Sequence, residues 1–201
     1  MLYIHGYGSD GNAKKKQILQ DMFPDSEVLS PTFDYARLSP YQVRESLQKI
    51  VGENDIRLIV GSSTGGFHAI VCSMFSDAEI WAVNPVSDLE KTFRRMALLE
   101  GTVISDEMER ALAVCRNFQT EVFDRITLPN TRLNFALSTD DEVLGDHTQL
   151  KKKFANCGKI VELDTATERY NAKVEEINER ASRADIHTAL IANGIIDIRR
   201  G

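Results

Sequence analysis

Leu58-Ile59-Val60-Gly61-Ser62-Ser63-Thr64-Gly65-Gly66-Phe67 joins an unbroken apolar run to a helix-like stretch through a Gly-x-Ser-x-Gly turn. A run of that length with no polar alternation reads as a strand covered on both faces. Ser63 then falls at a sharp strand-to-helix bend, where the residues two before and two after must be small so that backbone can pass backbone. Gly61 and Gly65 meet that need. A serine at such a bend projects its hydroxyl above the sheet, which makes Ser63 the candidate nucleophile. The five-residue pattern alone carries little weight, because Gly and Ser are common; the strand before it and the helix after it supply the weight.

Working outward, apolar runs at residues 2–4, 27–29, 57–60, 80–83, 132–136 and 159–163 alternate with helical patterns at 13–23, 40–51 and 64–75. Ser39 reads as an N-cap and Pro40 as the first residue of its helix. Strand and helix in alternation predict a parallel sheet, and right-handed crossovers put helices on both of its faces. The expected fold is therefore a doubly wound α/β domain spanning residues 1–201, with its functional edge at the carboxyl ends of the strands, where Ser63 stands. The longest strandless stretch, 86–128, shows helical patterns at 89–100 and 106–123, the second opened by Ser105 with Asp106 and Glu107 behind it. It reads either as two covering helices or as a lid over an acyl pocket. Phe67, Phe93, Met96, Leu98 and Leu99 are candidates for lining such a pocket, with core packing as the plainer reading.

Composition excludes several classes of function. Of the 201 residues, 42% are apolar and 27% charged, which is globular composition without the bias of a disordered chain. A net charge of −6 argues against a nucleic-acid partner, and the lysine clusters 14–16 and 151–153 read as solvated helix faces. Cys72, Cys115 and Cys157 are too few, and odd in number, for a disulfide framework, and no Cys-x-x-Cys or His-x-x-x-His spacing offers a metal cage. No cofactor or metal is expected. The chain begins on Leu2-Tyr3-Ile4 with no leader pattern and nowhere runs to ~18 consecutive apolar residues, so the expectation is a cytoplasmic protein without a membrane span.

A second piece of chemistry follows the first strand, in Ile4-His5-Gly6-Tyr7-Gly8-Ser9-Asp10-Gly11. A glycine-rich turn there can aim backbone N–H groups at one point beyond the strand ends. Acyl transfer develops negative charge on one oxygen, and each fixed amide donor that stabilises it is worth roughly 2.7–4 kcal/mol. The candidate donors of this oxyanion hole are the N–H groups of Tyr7 and Thr64, the latter at a helix start where amides lack intrahelical partners. A tight turn without catalytic duty is the alternative.

Four motifs in order resemble the α/β-hydrolase fold family, and in particular the small UPF0227/YqiA-type esterases. They are Leu2-Tyr3-Ile4-His5-Gly6-Tyr7, then Gly61 to Phe67, then Asn84-Pro85 after the following strand, then Asp141-Glu142-Val143-Leu144 after the penultimate one. The resemblance covers residues 1 to 163. It implies a reduced α/β-hydrolase sheet of six mainly parallel strands in the order 2-1-3-4-5-6, with helices on both faces. It also implies a Ser, Asp, His triad in that chain order. Asp141 takes the place of the family's acid, with Asp140 as its near rival.

Four histidines are available as the base: His5, His68, His147 and His187. His5 ends the first strand, in a packing role or a loop hydrogen bond. His68 lies five residues beyond Ser63 on one helix, turned about 140° away from it. His147 begins a probable helix at the surface. His187 follows the last strand, where the resemblance places the base, but residues 164–186, helix-like over 167–182, intervene. The expected function is hydrolysis of a small acyl ester or thioester by Ser63, His187 and Asp141 through an acyl-enzyme. Transfer to an acceptor other than water shares that intermediate. The alternative is a catalytically silent hydrolase-fold protein that binds an acyl ligand or a protein partner.

Overall fold

Side chains alternate between two covered faces along five short strands, and that alternation sets the architecture of the computed structural model, which describes residues 1–138 and 147–163. The elements run β1 (Leu2–Ile4), α1 (Lys14–Met22), α2 (Pro40–Glu53), β2 (Leu58–Ser62), α3 (Thr64–Cys72), β3 (Glu79–Val83), α4 (Leu89–Leu99), α5 (Asp106–Arg125), β4 (Leu133–Ser138), α6 (Thr148–Lys153) and β5 (Ile160–Leu163). The strands pair in the order β1-β2-β3-β4-β5, every pair parallel, with Leu2 opposite Ile59, Ile59 opposite Ile80 and Ile80 opposite Leu133.

Leu2, Ile4, Ile59, Ile80 and Phe135 face a core built with Val43 and Leu47 of α2, most of α3, and Phe118 and Val122 of α5. Tyr3, Val60 and Trp81 face the other way, against Leu19 of α1. The two faces fill differently because the chain reverses direction across the sheet. From β1 it moves outward to Leu29, then crosses back to β2, and a right-handed crossover taken in the opposite direction lands on the opposite face. The carboxyl ends of β1 and β2 flank that reversal, which is where open α/β sheets bind ligands.

Residues 27–29, expected as a full strand, contribute a single parallel bridge. Tyr3 N–H donates to Leu29 O at 2.8 Å and Leu29 N–H to Met1 O at 3.0 Å. Pro31 has no N–H to continue the ladder. The expected strand order is otherwise found, with Leu29 at the edge beside β1.

Local signals explain the helix starts. Ser39 Oγ accepts from Gln42 N–H and Gln42 Oε1 accepts from Ser39 N–H, a reciprocal cap with Pro40 just inside it. Ser105 caps α5 through Met108 N–H. The segment between β3 and β4 forms the hairpin α4–α5, laced by Arg94 to Glu90 and Glu109 and by Arg116 to Glu90. Its two helices are rooted unequally: α5 buries Leu112, Cys115, Phe118 and Val122, and α4 buries only Leu89. Among the described residues, no helix is long and apolar enough to cross a membrane.

Candidate active site

Ser63 occupies the bend between β2 and α3 with φ 56° and ψ −121°, a conformation that costs a residue with a side chain about 1–3 kcal/mol. The surroundings hold it there. Ser63 N–H donates to Val83 O at 3.0 Å, and Ser63 O accepts from Val86 N–H at 3.1 Å and from Phe67 N–H at 3.1 Å. Ser62 and Thr64 on either side are buried, while Ser63 is partly exposed. The glycines are sterically required: a Cβ on Gly61 would overlap Gly65 O, and one on Gly65 would overlap Ile4 O and His5 O. Beneath the bend, Tyr3 Oη and Ser62 Oγ share a buried hydrogen bond of 3.1 Å, and burial pushes the Tyr3 hydroxyl up to about 12.

The turn after β1 packs directly on the serine. A Cβ at Gly6 would lie 3.2 Å from Ser63 Cβ and 3.7 Å from Ser63 Oγ, so any side chain here would press on the serine. His5, wholly buried, orders the turn. Its Nε2 accepts from Phe33 N–H at 2.9 Å, which leaves Nδ1 to carry the hydrogen donated to Gly6 O at 2.8 Å. Ser9 N–H donates to the same oxygen. In a trans peptide the next N–H points opposite to the carbonyl, so the Tyr7 N–H is directed away from His5 and Ser9. Thr64 opens α3, and its N–H has no partner within the helix.

A third turn completes the surroundings. Asn84, after β3, has φ 41°, and its side chain spans to the end of β4: Ser138 N–H donates to Oδ1 at 2.6 Å and Nδ2 donates to Ser138 Oγ at 2.8 Å. Its own N–H donates to Ala136 O at 2.8 Å. Nothing in spacing alone foretold this bridge; the signal available was an asparagine, which tolerates positive φ, directly after a strand.

Asp141, its rival Asp140 and His187 lie outside the described residues. The other histidines are all buried. His68 points away from Ser63, as helix geometry required. It stacks on Tyr35 at 5.6 Å between Phe67 and Phe118, and burial brings its pKa down to about 3. His147, expected at the surface, is enclosed at the N-cap of α6, because Leu150 and Phe154 draw that turn into the core.

A cavity of about 470 Å³ opens beside Tyr7, roofed by α4 and α5 and walled by the segment that leads into α2. Tyr35, Leu38, Phe93, Met108 and Leu112 make its apolar lining, and Glu100 and Arg37 stand at its border. The Tyr7 ring packs on Phe93 at 5.7 Å, and burial followed by the nearby Glu100 carboxylate raises its pKa. Of the five pocket residues expected from sequence, Phe93 alone lines this cavity. Phe67 is wholly buried in the core, and Leu98 and Leu99 are 59% and 73% exposed.

A family model, described as the uncharacterised protein family UPF0227, matches residues 1–182. The chain belongs to UPF0227. Curated proteins give this UPF0227 chain no match. Among solved structures it is similar to Est1E from Butyrivibrio proteoclasticus with ferulic acid bound, at 15% identity and TM-score 0.61 over 95% of this chain and 88% of that one. It is similar also to a Paleococcus ferrophilus monoacylglycerol lipase, at 11% identity and TM-score 0.60 over 95% and 93%. A Pyrococcus furiosus esterase matches at 19% identity and TM-score 0.54 over 89% and 80%. At such identities the likeness establishes the α/β-hydrolase fold for this UPF0227 member.

Proposed function

We propose that this protein is a serine hydrolase, an esterase or thioesterase acting on a small acyl substrate. The observation that carries the reading is the positive φ of Ser63 at the carboxyl end of β2, held by glycines that tolerate no side chain. Strain of this kind persists where a side chain has to be presented. Ser63 Oγ attacks the carbonyl carbon as His187 takes its proton, and Asp141 orients the imidazole and offsets its developing charge. The carbonyl oxygen becomes an oxyanion between the N–H groups of Tyr7 and Thr64. Collapse expels the alcohol or thiol with the proton from His187; water then attacks the acyl-enzyme and releases the acid. The apolar cavity next to Tyr7 favours an uncharged aliphatic or aromatic group on one side of the scissile bond. The lipase and the esterase among the structural neighbours agree with this reading.

Turnover of short p-nitrophenyl esters is expected in the wild type and lost in Ser63→Ala with the fold intact by circular dichroism. Activity surviving in that variant overturns the assignment. A fluorophosphonate that leaves wild-type Ser63 unlabelled at neutral pH supports instead a silent protein that binds acyl ligands.

A further inference from the structure

We propose that Asn84 is a positioning residue for catalysis, locking the nucleophile turn to the end of the strand that precedes Asp140 and Asp141 in the sequence. The inference rests on the serine-hydrolase reading above, and its geometry is independent of that reading. The residues flanking Asn84-Pro85 hold both peptide groups of Ser63: Val83 O accepts from Ser63 N–H, and Val86 N–H donates to Ser63 O. Pro85 packs against α3, where a Cβ on Gly66 would come within 2.9 Å of Pro85 Cα. The same short turn grips β4 through the paired Asn84 bonds to Ser138 and through Asn84 N–H to Ala136 O.

Ser138 is the last residue of β4, and Asp140 and Asp141 follow it by two and three positions. A fixed Ser138 therefore defines where the chain carrying either carboxylate begins. The side chain that fixes it is anchored by the turn that also fixes Ser63. Asparagine suits the task for two reasons. Among residues with side chains it is one of the most tolerant of positive φ, and its amide offers an acceptor for the Ser138 N–H together with a donor for the Ser138 hydroxyl. Misplacement by about 1 Å in a catalytic constellation costs on the order of a hundredfold in rate, so a bridge of this kind acts on turnover more than on binding.

The test is a set of variants assayed on one p-nitrophenyl ester. Asn84→Gly keeps the backbone conformation and removes the bridge; it is expected to lower kcat about tenfold or more with KM within about twofold. Asn84→Asp keeps an acceptor for the Ser138 N–H and accepts from the Ser138 hydroxyl, and it is expected to recover most of that loss. Deuterium exchange at the Ser138 amide should accelerate in Asn84→Gly and return toward wild type in Asn84→Asp. The decisive measurement repeats Asn84→Gly in whichever of Asp140→Asn and Asp141→Asn is the more damaging single change. There the glycine substitution should cost less than about twofold, since its effect passes through the carboxylate already removed. An equal loss in both backgrounds, or an unchanged kcat in Asn84→Gly, overturns the positioning role while wild-type turnover leaves the hydrolase reading standing. A wild type that neither turns over esters nor takes a fluorophosphonate overturns both.

Discussion

Gly65 of α3 and Ile4 at the end of β1 meet backbone to backbone, so closely that a Cβ on the glycine would overlap the Ile4 carbonyl oxygen. The contact fixes the height of α3 above the sheet. Gly65→Ala must push α3 off β1, at a cost of about 3 kcal/mol by the scale of overpacked cores. The melting temperature should fall by roughly 5–10 °C, read by calorimetry. Gly52, near the end of α2, meets nothing within 4 Å. Gly52→Ala should therefore raise stability by about 0.5–1 kcal/mol through the helix-forming advantage of alanine. Equal effects of the two substitutions would show that the steric requirement at Gly65 is illusory.

Strain at Ser63 predicts that Ser63→Ala and Ser63→Gly differ in stability. Alanine keeps a Cβ at φ 56° and glycine does not. Ser63→Gly should exceed Ser63→Ala by about 1 kcal/mol in urea unfolding, after the greater unfolded-state freedom of glycine is set against the relief. A Ser63→Ala protein as stable as Ser63→Gly would mean that the bend stores no strain.

Stability should depend on pH through His68. In the unfolded chain its imidazole titrates near 6.5, whereas in the fold burial among Tyr35, Phe67 and Phe118 holds its pKa down to about 3. The unfolded state thus binds the extra proton between those values. The stabilisation is complete above pH 6.5 and is lost as pH falls, by up to about 1.4 kcal/mol per pH unit. Between pH 8 and pH 5 the wild type should lose about 2 kcal/mol more than His68→Phe in denaturant titrations. Parallel losses in the two proteins would refute a buried neutral His68.

Substrate range should respond to the cavity beside Tyr7. Ala97 of α4 lines it, and Ala97→Phe places a ring in the apolar space. KM for aromatic or medium-chain p-nitrophenyl esters should rise about tenfold or more, while the acetate ester changes little. A uniform effect across chain lengths would place the substrate elsewhere.

The strand-to-helix bend at Ser63 was legible because its geometry is local. Gly61, Ser63 and Gly65 sit within five residues, and the steric need for each glycine follows from the bend alone. The strand order was legible from repeated apolar runs together with the resemblance. What failed was set by packing between distant segments. His147 read as a surface residue because a polar side chain at a helix start gives no hint that Leu150 and Phe154 will carry it inward. Leu98 and Leu99 matched an apolar stripe, yet α4 buries only Leu89, and the cavity instead draws Leu38 and Tyr35 from a loop some sixty residues away in sequence. The 27–29 run had strand composition but too short a span before Pro31 to pair beyond one bridge. Asp141 was read from the Asp-Glu-Val-Leu motif of the resemblance, and His187 from its place after the last strand.

Unequal rooting of the hairpin over the cavity divides its labour. Lifting α5 would bring Phe118 and Val122 into water at roughly 1.5–3 kcal/mol each. Displacing α4 uncovers one buried side chain, Leu89, together with the half-buried Phe93, and exchanges the partly exposed pairs of Arg94 and Arg116 for hydration at little cost. Entry to the cavity is therefore expected past the first helix of the hairpin, with the second as a fixed wall. Native-state amide exchange should find α4 opening at far lower free energy than α5, and equal protection of the two would mean that the hairpin rises as a single flap.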